Sequence, residues 1–141
     1  MINFNPISKQ EFLGDYWQKK PFVFRNAMTN FNQPLSADEI AGLSMEDEVE
    51  SKLVTHEPES TLPWKLKKGP FTESDLTSLP DSHWTLLVQG VDRFIPEVNG
   101  LLDNFDFLPQ WRVDDVMISV AGIHGGVGPH FDNYDVFLYQ A

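Results

Sequence analysis

Gly125-Gly126-Val127-Gly128-Pro129-His130-Phe131-Asp132 is the stretch on which the reading of this chain turns. It sets a histidine and an aspartate two residues apart, after a glycine-rich loop and before a strand-like run over residues 134–139. In extended backbone, residues i and i+2 leave from the same face, so His130 and Asp132 can converge on one metal ion. One imidazole nitrogen and one carboxylate oxygen, with open positions beside them, are two parts of a 2-His-1-carboxylate iron site. The missing part is a second histidine, and no obvious one follows before Ala141.

The loop itself admits other uses. Gly125, Gly126 and Gly128 could cradle a phosphate, but phosphate loops of that kind feed a helix N-terminus and this one feeds a strand. His124-Gly125-Gly126 has the form of an esterase oxyanion loop, yet the chain has no G-x-S-x-G nucleophile elbow. What remains is a turn that lets the backbone pass close to a ligand, or a plain glycine-rich connection.

Working outward, the 141 residues suit one domain with a real core, and the 11 Phe and 4 Trp argue for a folded chain. No apolar run reaches the roughly 18–20 residues that span a bilayer. Residues 1–6 have neither the basic region nor the apolar core of a secretory signal, and there is no cysteine, so the cytoplasm is the expected compartment. A net charge of −11 disfavours phosphate backbones and therefore direct nucleic-acid binding. It favours a basic protein partner, or serves solubility alone.

The elements alternate along the chain. Ser8-Lys9-Gln10-Glu11 and Ser36-Ala37-Asp38-Glu39 are capping boxes that open two short helices, the second carrying Ile40 and Leu43. Phe22-Val23-Phe24 reads as a strand. Residues 49–56 and 64–67 read as half-buried antiparallel strands joined by a hairpin around Pro58 to Pro63. Lys65, Lys67 and Lys68 then form a solvated or edge-protecting face. Residues 72–79 hold about one helical turn, and residues 83–89 a buried strand. Val91, Phe94, Ile95, Val98, Leu101, Leu102 and Phe105 recur at helical spacing, but Pro96 and Gly100 predict a kink or a split. Residues 116–121 and 134–139 are strands flanking the loop. The class is α+β: helices and strands first, then strands leading into a β-barrel or sandwich. The four tryptophans read as core or sub-core anchors.

Trp111-Arg112-Val113-Asp114-Asp115-Val116-Met117-Ile118-Ser119, the glycine-rich turn, and Gly128-Pro129-His130-Phe131-Asp132-Asn133-Tyr134-Asp135-Val136-Phe137 together resemble the bacterial JmjC-type ribosomal oxygenases. The likeness extends to Tyr16-Trp17-Gln18-Lys19-Lys20-Pro21, to residues 35–49 and to residues 84–89, and so covers nearly the whole chain. The resemblance implies an incomplete double-stranded β-helix, a jelly-roll of the cupin type. It implies iron(II) with 2-oxoglutarate as cosubstrate, and hydroxylation of an arginine in a basic ribosomal protein of the large subunit. His130 and Asp132 would be the first two iron ligands. The third histidine and the basic residue that grips 2-oxoglutarate would lie beyond Ala141, so the chain is expected to be the N-terminal part of a longer enzyme and inactive alone. Residues 1–95 would then be the α+β front part, and residues 96–141 the start of the barrel.

Further candidates are graded by chemistry. Asp114, Asp115 and Asp135 could pair with a substrate guanidinium, or be turn caps and solvated charges. Ser119 and Tyr134 could meet substrate or cosubstrate, or be ordinary strand residues. His124, His56 or His83 could substitute for the third ligand. An unfinished barrel leaves a strand edge near residues 134–139 that could pair with a second copy. The competing class is a non-enzymatic acidic module on a cupin-like scaffold that binds a basic protein and no metal.

Overall fold

Among the described residues, four antiparallel strands carry the architecture. The computed structural model of the chain describes residues 2–28 and 31–140. The strands are β1 (Ser51–His56), β2 (Trp64–Lys68), β3 (Trp84–Val88) and β4 (Ile118–Ala121), in sheet order β2-β1-β3-β4. The hairpin between β1 and β2 forms as its sequence predicts, with His56 opposite Trp64. Register sets Leu53, Leu86 and Val120 in one row, and Ser51, Val88 and Ile118 in the next. These rows face the core, as period-2 alternation requires. Among the helical segments, Ile40, Val91 and Val98 join Leu53, Leu86 and Val88 in that core, and Val88, Val91 and Val98 have no exposed surface.

Helices are short and start where their caps dictate. In α1 (Lys9–Glu11) the Ser8 hydroxyl accepts from the Glu11 amide, and the helix widens at once into a π-turn over Phe12–Tyr16, closed by Trp17 N–H to Phe12 O. The full reciprocal box forms at α2 (Ala37–Leu43): the Ser36 amide donates to Glu39 Oε2 at 2.7 Å, and the Glu39 amide to Ser36 Oγ at 3.3 Å. The segment α3 (Glu73–Thr77) has the same device with Thr72 and Asp75. Residues 91–105 are split as Pro96 and Gly100 foretell. A 3₁₀ turn at Val91–Arg93 gives way to α4 (Pro96–Asn99), with Pro96 at its start, and then to a 3₁₀ stretch Gly100–Phe105.

A second apolar body lies beside the sheet core. Phe4, Phe12, Phe24, Phe105 and Phe107 pack edge-on or tilted around one another, and Phe137 joins Phe12, Trp17, Phe105 and Phe107 from the far end of the chain. Such T-shaped and offset pairs add to area burial.

Four expectations are corrected. Residues 22–24 form no strand: Phe22 and Phe24 turn their rings onto Tyr16, Phe4 and Phe12, and no ladder partner meets their backbone among the described residues. Residues 134–139 form no strand either. They keep the alternation of one, with Phe137 and Tyr139 less exposed than Val136 and Leu138, but what they meet is side chains and not a sheet edge. The outer strand β2 is exposed along its whole length rather than half-buried. Finally, Trp111 is 84% exposed and Trp64 lies on the exposed edge strand, so neither of these tryptophans anchors the core.

Candidate metal centre

The last sheet strand delivers the chain to the site. Beyond Ala121 the Gly122 amide donates to Trp84 O at 3.1 Å, and a turn closes when the Gly125 amide donates to Gly122 O at 2.9 Å. Glycine is required at 125, because a Cβ there would sit 2.3 Å from the Trp84 carbonyl oxygen and 2.9 Å from Ala121 Cβ. The chain then crosses the Trp64 indole. Cβ atoms at Gly126 and Gly128 would lie 3.5 Å and 3.2 Å from it, and Gly128 has φ +77°, a left-handed conformation that glycine alone adopts readily. Trp64 in turn stacks on His56 with ring centroids 4.0 Å apart and planes 10° from parallel.

From that turn His130 and Asp132 emerge together. His130 Nδ1 lies 2.9 Å from Gly128 O. A carbonyl oxygen only accepts, so Nδ1 carries the hydrogen, and in the neutral ring Nε2 presents its lone pair. Nε2 is 3.6 Å from Asp132 Oδ2, with both side chains partly open to solvent at 52% and 37%. Two lone-pair donors at that separation can share one cation at about 2.1 Å from each. A hydrogen bond from the remote ring nitrogen to a backbone carbonyl is also how ligating histidines are commonly oriented. Geometry and donor set therefore fit a divalent metal.

The other candidates fall elsewhere. Asp115 Oδ2 accepts from the Gly90 amide at 2.8 Å, fixing the turn after β3. Asp135 accepts from the Gln18 side chain at 2.8 Å, tying the C-terminal stretch to the N-terminal one. Asp114, Ser119 and Tyr134 face solvent, and among the described residues no hydrogen bond or ion pair joins them to the His130–Asp132 pair. His56, His83 and His124 form a row of their own, with successive centroids 5.9 Å and 5.3 Å apart. Among the described residues no three His, Asp or Glu side chains assemble to hold a metal, so none of these histidines completes the pair. Lys65 pairs with Glu57 and Lys67 with Asp75, in keeping with a solvated edge. No helix is long and apolar enough to cross a membrane among the described residues. What sequence reasoning missed is Trp64 as the floor of the glycine turn; nothing in its local pattern distinguishes it from a packing tryptophan.

The chain is similar in sequence and in fold to several known proteins. The JmjC domain family matches residues 100–141. The ribosomal protein uL16 3-hydroxylase of Escherichia coli is 45% identical over 130 residues, which is 92% of this chain and 34% of that protein. A probable ribosomal oxygenase of Haemophilus influenzae is 40% identical over 95% of this chain and 32% of its own length. The structure of YcfD, a ribosomal oxygenase from Escherichia coli in complex with cobalt and 2-oxoglutarate, superposes with a TM-score of 0.82 at 42% identity, covering 90% of this chain and 34% of that one. The chain thus spans about a third of the length of the curated relatives it matches. In sequence and in fold it is related to the bacterial JmjC-type ribosomal oxygenases, as a stretch about one-third of their length.

Proposed function

We propose that this stretch carries two of the three iron ligands of a 2-oxoglutarate-dependent ribosomal protein hydroxylase, His130 through Nε2 and Asp132 through a carboxylate oxygen. The observation that carries the reading is the aimed pair: a 3.6 Å Nε2–Oδ2 separation with Nδ1 already engaged by Gly128 O. A solved relative in complex with cobalt and 2-oxoglutarate supports the reading of a metal centre, cobalt standing for iron.

When bound, iron(II) with 2-oxoglutarate and oxygen supplies the oxidising power for a C–H hydroxylation. The chain's own residues do the holding. Gly128 O fixes the His130 ring, and the turn over Trp64 presents both ligands from one face. Asp114 is exposed, whereas Asp115 and Asp135 already accept from Gly90 and Gln18, so Asp114 is the carboxylate left to meet a substrate guanidinium. A basic ribosomal protein with arginine as its target suits the net charge of −11, and such a substrate places the activity in the cytoplasm. The division at residues 95 and 96 is supported by a JmjC match that starts at residue 100. It is a division of ancestry and not of packing, because Val98 shares one core with Val91.

With two ligands the 141 residues by themselves bind a divalent ion weakly and do not turn over. Cobalt(II) titrated into the chain and followed by NMR should broaden the His130 and Asp132 resonances first, and His130→Ala should abolish that effect. Broadening centred on His56, His83 or His124, unchanged in His130→Ala, would refute the ligand assignment.

A further inference from the structure

We propose that Trp64, backed by His56, is a positioning residue that holds the His130 ring in its metal-ready tautomer. This deepens the assignment of His130 as a ligand and rests on it, but its test needs no metal.

Three observations converge. First, Trp64 is outside the hydrophobic core: β2 is exposed along its length, and Trp64 retains 37% of its surface. Its close ring contact is the His56 stack at 4.0 Å and 10°. Second, the glycine turn is laid on the indole. The hypothetical Cβ of Gly126 approaches Trp64 Cη2 at 3.5 Å and that of Gly128 approaches Cδ2 at 3.2 Å, so one flat ring lies under both positions, tightly under the second. Third, the atom that fixes His130 belongs to that turn, since the Gly128 carbonyl oxygen is the acceptor for Nδ1–H. The indole limits where Gly128 can sit, Gly128 sets where its carbonyl points, and the carbonyl decides which imidazole nitrogen keeps its lone pair.

His56 makes the floor stiff. An aromatic on a solvent-open edge strand is free to rotate about χ1 and χ2 unless something holds its other face, and the parallel imidazole does that. A bland role as a cap on the sheet end would require the indole to be there but not to be flat against glycine.

The test is the tautomer of His130 in the metal-free chain, read from its ring ¹⁵N shifts at a pH where the ring is neutral. In the parent chain and in Trp64→Phe, which keeps a flat aromatic floor, the Nδ1–H form should dominate. In Trp64→Ala and Trp64→Leu the ratio of Nδ1–H to Nε2–H should fall roughly fivefold, the factor expected for losing one such hydrogen bond. Leu66→Ala, on the same strand and face and 59% exposed, should leave the ratio unchanged. A folded Trp64→Ala or Trp64→Leu with the parent ratio overturns the proposal. So does unfolding of both while Leu66→Ala stays folded, because Trp64 would then be a stability residue. If cobalt(II) fails to broaden His130 in the parent chain while the tautomer still tracks Trp64, the ligand assignment fails and the positioning role stands.

Discussion

Replacing Gly125 with alanine should destabilise the chain by about 3 kcal/mol, and the same replacement at Gly42 should do the reverse. The added methyl at 125 would sit 2.3 Å from the Trp84 carbonyl oxygen and 2.9 Å from both Ala121 Cβ and the Gly122 carbonyl oxygen. None of these is the end of a flexible side chain. The Trp84 carbonyl also accepts from the Gly122 amide, and Trp84 is paired through β3 to Thr55 of β1, so it cannot retreat without loosening the sheet. Overpacking of a rigid site costs about 1–3 kcal/mol, and a strained or lost backbone hydrogen bond adds about 1 kcal/mol. For a domain of this size the sum corresponds to a fall of about 10 °C in Tm. At Gly42, within α2, nothing lies within 4 Å of the added methyl. There the gain in helix propensity should stabilise by about 0.5–1 kcal/mol. Urea denaturation of the three proteins, read by tryptophan fluorescence and circular dichroism, gives both differences from one assay. A Gly125→Ala protein within 0.5 kcal/mol of the parent would refute the close-approach argument, because the two substitutions would then differ only by propensity.

Two further outcomes test the surroundings. The Asp75 carboxyl is lowered to about 2, first by the hydrogen bond from Lys67 and then by those from Thr72. Its folded pKa is below the ordinary 3.8, so its contribution is complete above that value and is lost as pH falls towards 2. Carboxyl NMR titration should show Lys67→Met moving the midpoint up, and an unmoved midpoint would discard the Lys67 contact. Thr85 is buried at 4% exposure, and its hydroxyl has no hydrogen-bond partner among the described residues. Thr85→Val should therefore stabilise by about 1 kcal/mol in the same urea assay, and a loss of stability would show that the hydroxyl is in fact satisfied.

The parts of this molecule written in short-range chemistry were readable from sequence. Ser36 and Glu39 announce α2 because a capping box closes over three residues, and Pro96 announces the split after Val91 because proline cannot donate within a helix. The pairing of β1 with β2 follows from alternation and a nearby turn. The box at Thr72 and Asp75 was the harder case, since its third position is aspartate and not the usual glutamate. Residues 134–139 show why alternation is insufficient. The pattern reports a pleat with two faces, but a strand also needs a backbone partner, and that partner is chosen by tertiary structure. At the site, His130 and Asp132 were legible because their convergence depends on i and i+2 alone. The engagement of Asp135 by Gln18, of Asp115 by Gly90 and of the glycine turn by Trp64 joins distant parts of the chain, and no local pattern encodes it.

The tie between the two ends of the chain has a consequence for cooperativity. Phe137 stacks on Trp17 with planes 10° apart, and Asp135 accepts from Gln18, so the run after Asp132 is clasped by the N-terminal aromatic body. Before His130, the chain is held by the sheet through Gly122 and Gly125. The His130–Asp132 pair therefore lies between two separately anchored units, and their separate opening is a testable expectation. Amides of β1 and β3 should exchange with deuterium at the rate of global unfolding, and those around Phe12 and Trp17 at a faster, sub-global rate. An opening of the second unit alone would free Asp132 while His130 stayed seated, giving the pair a hinge between its two members.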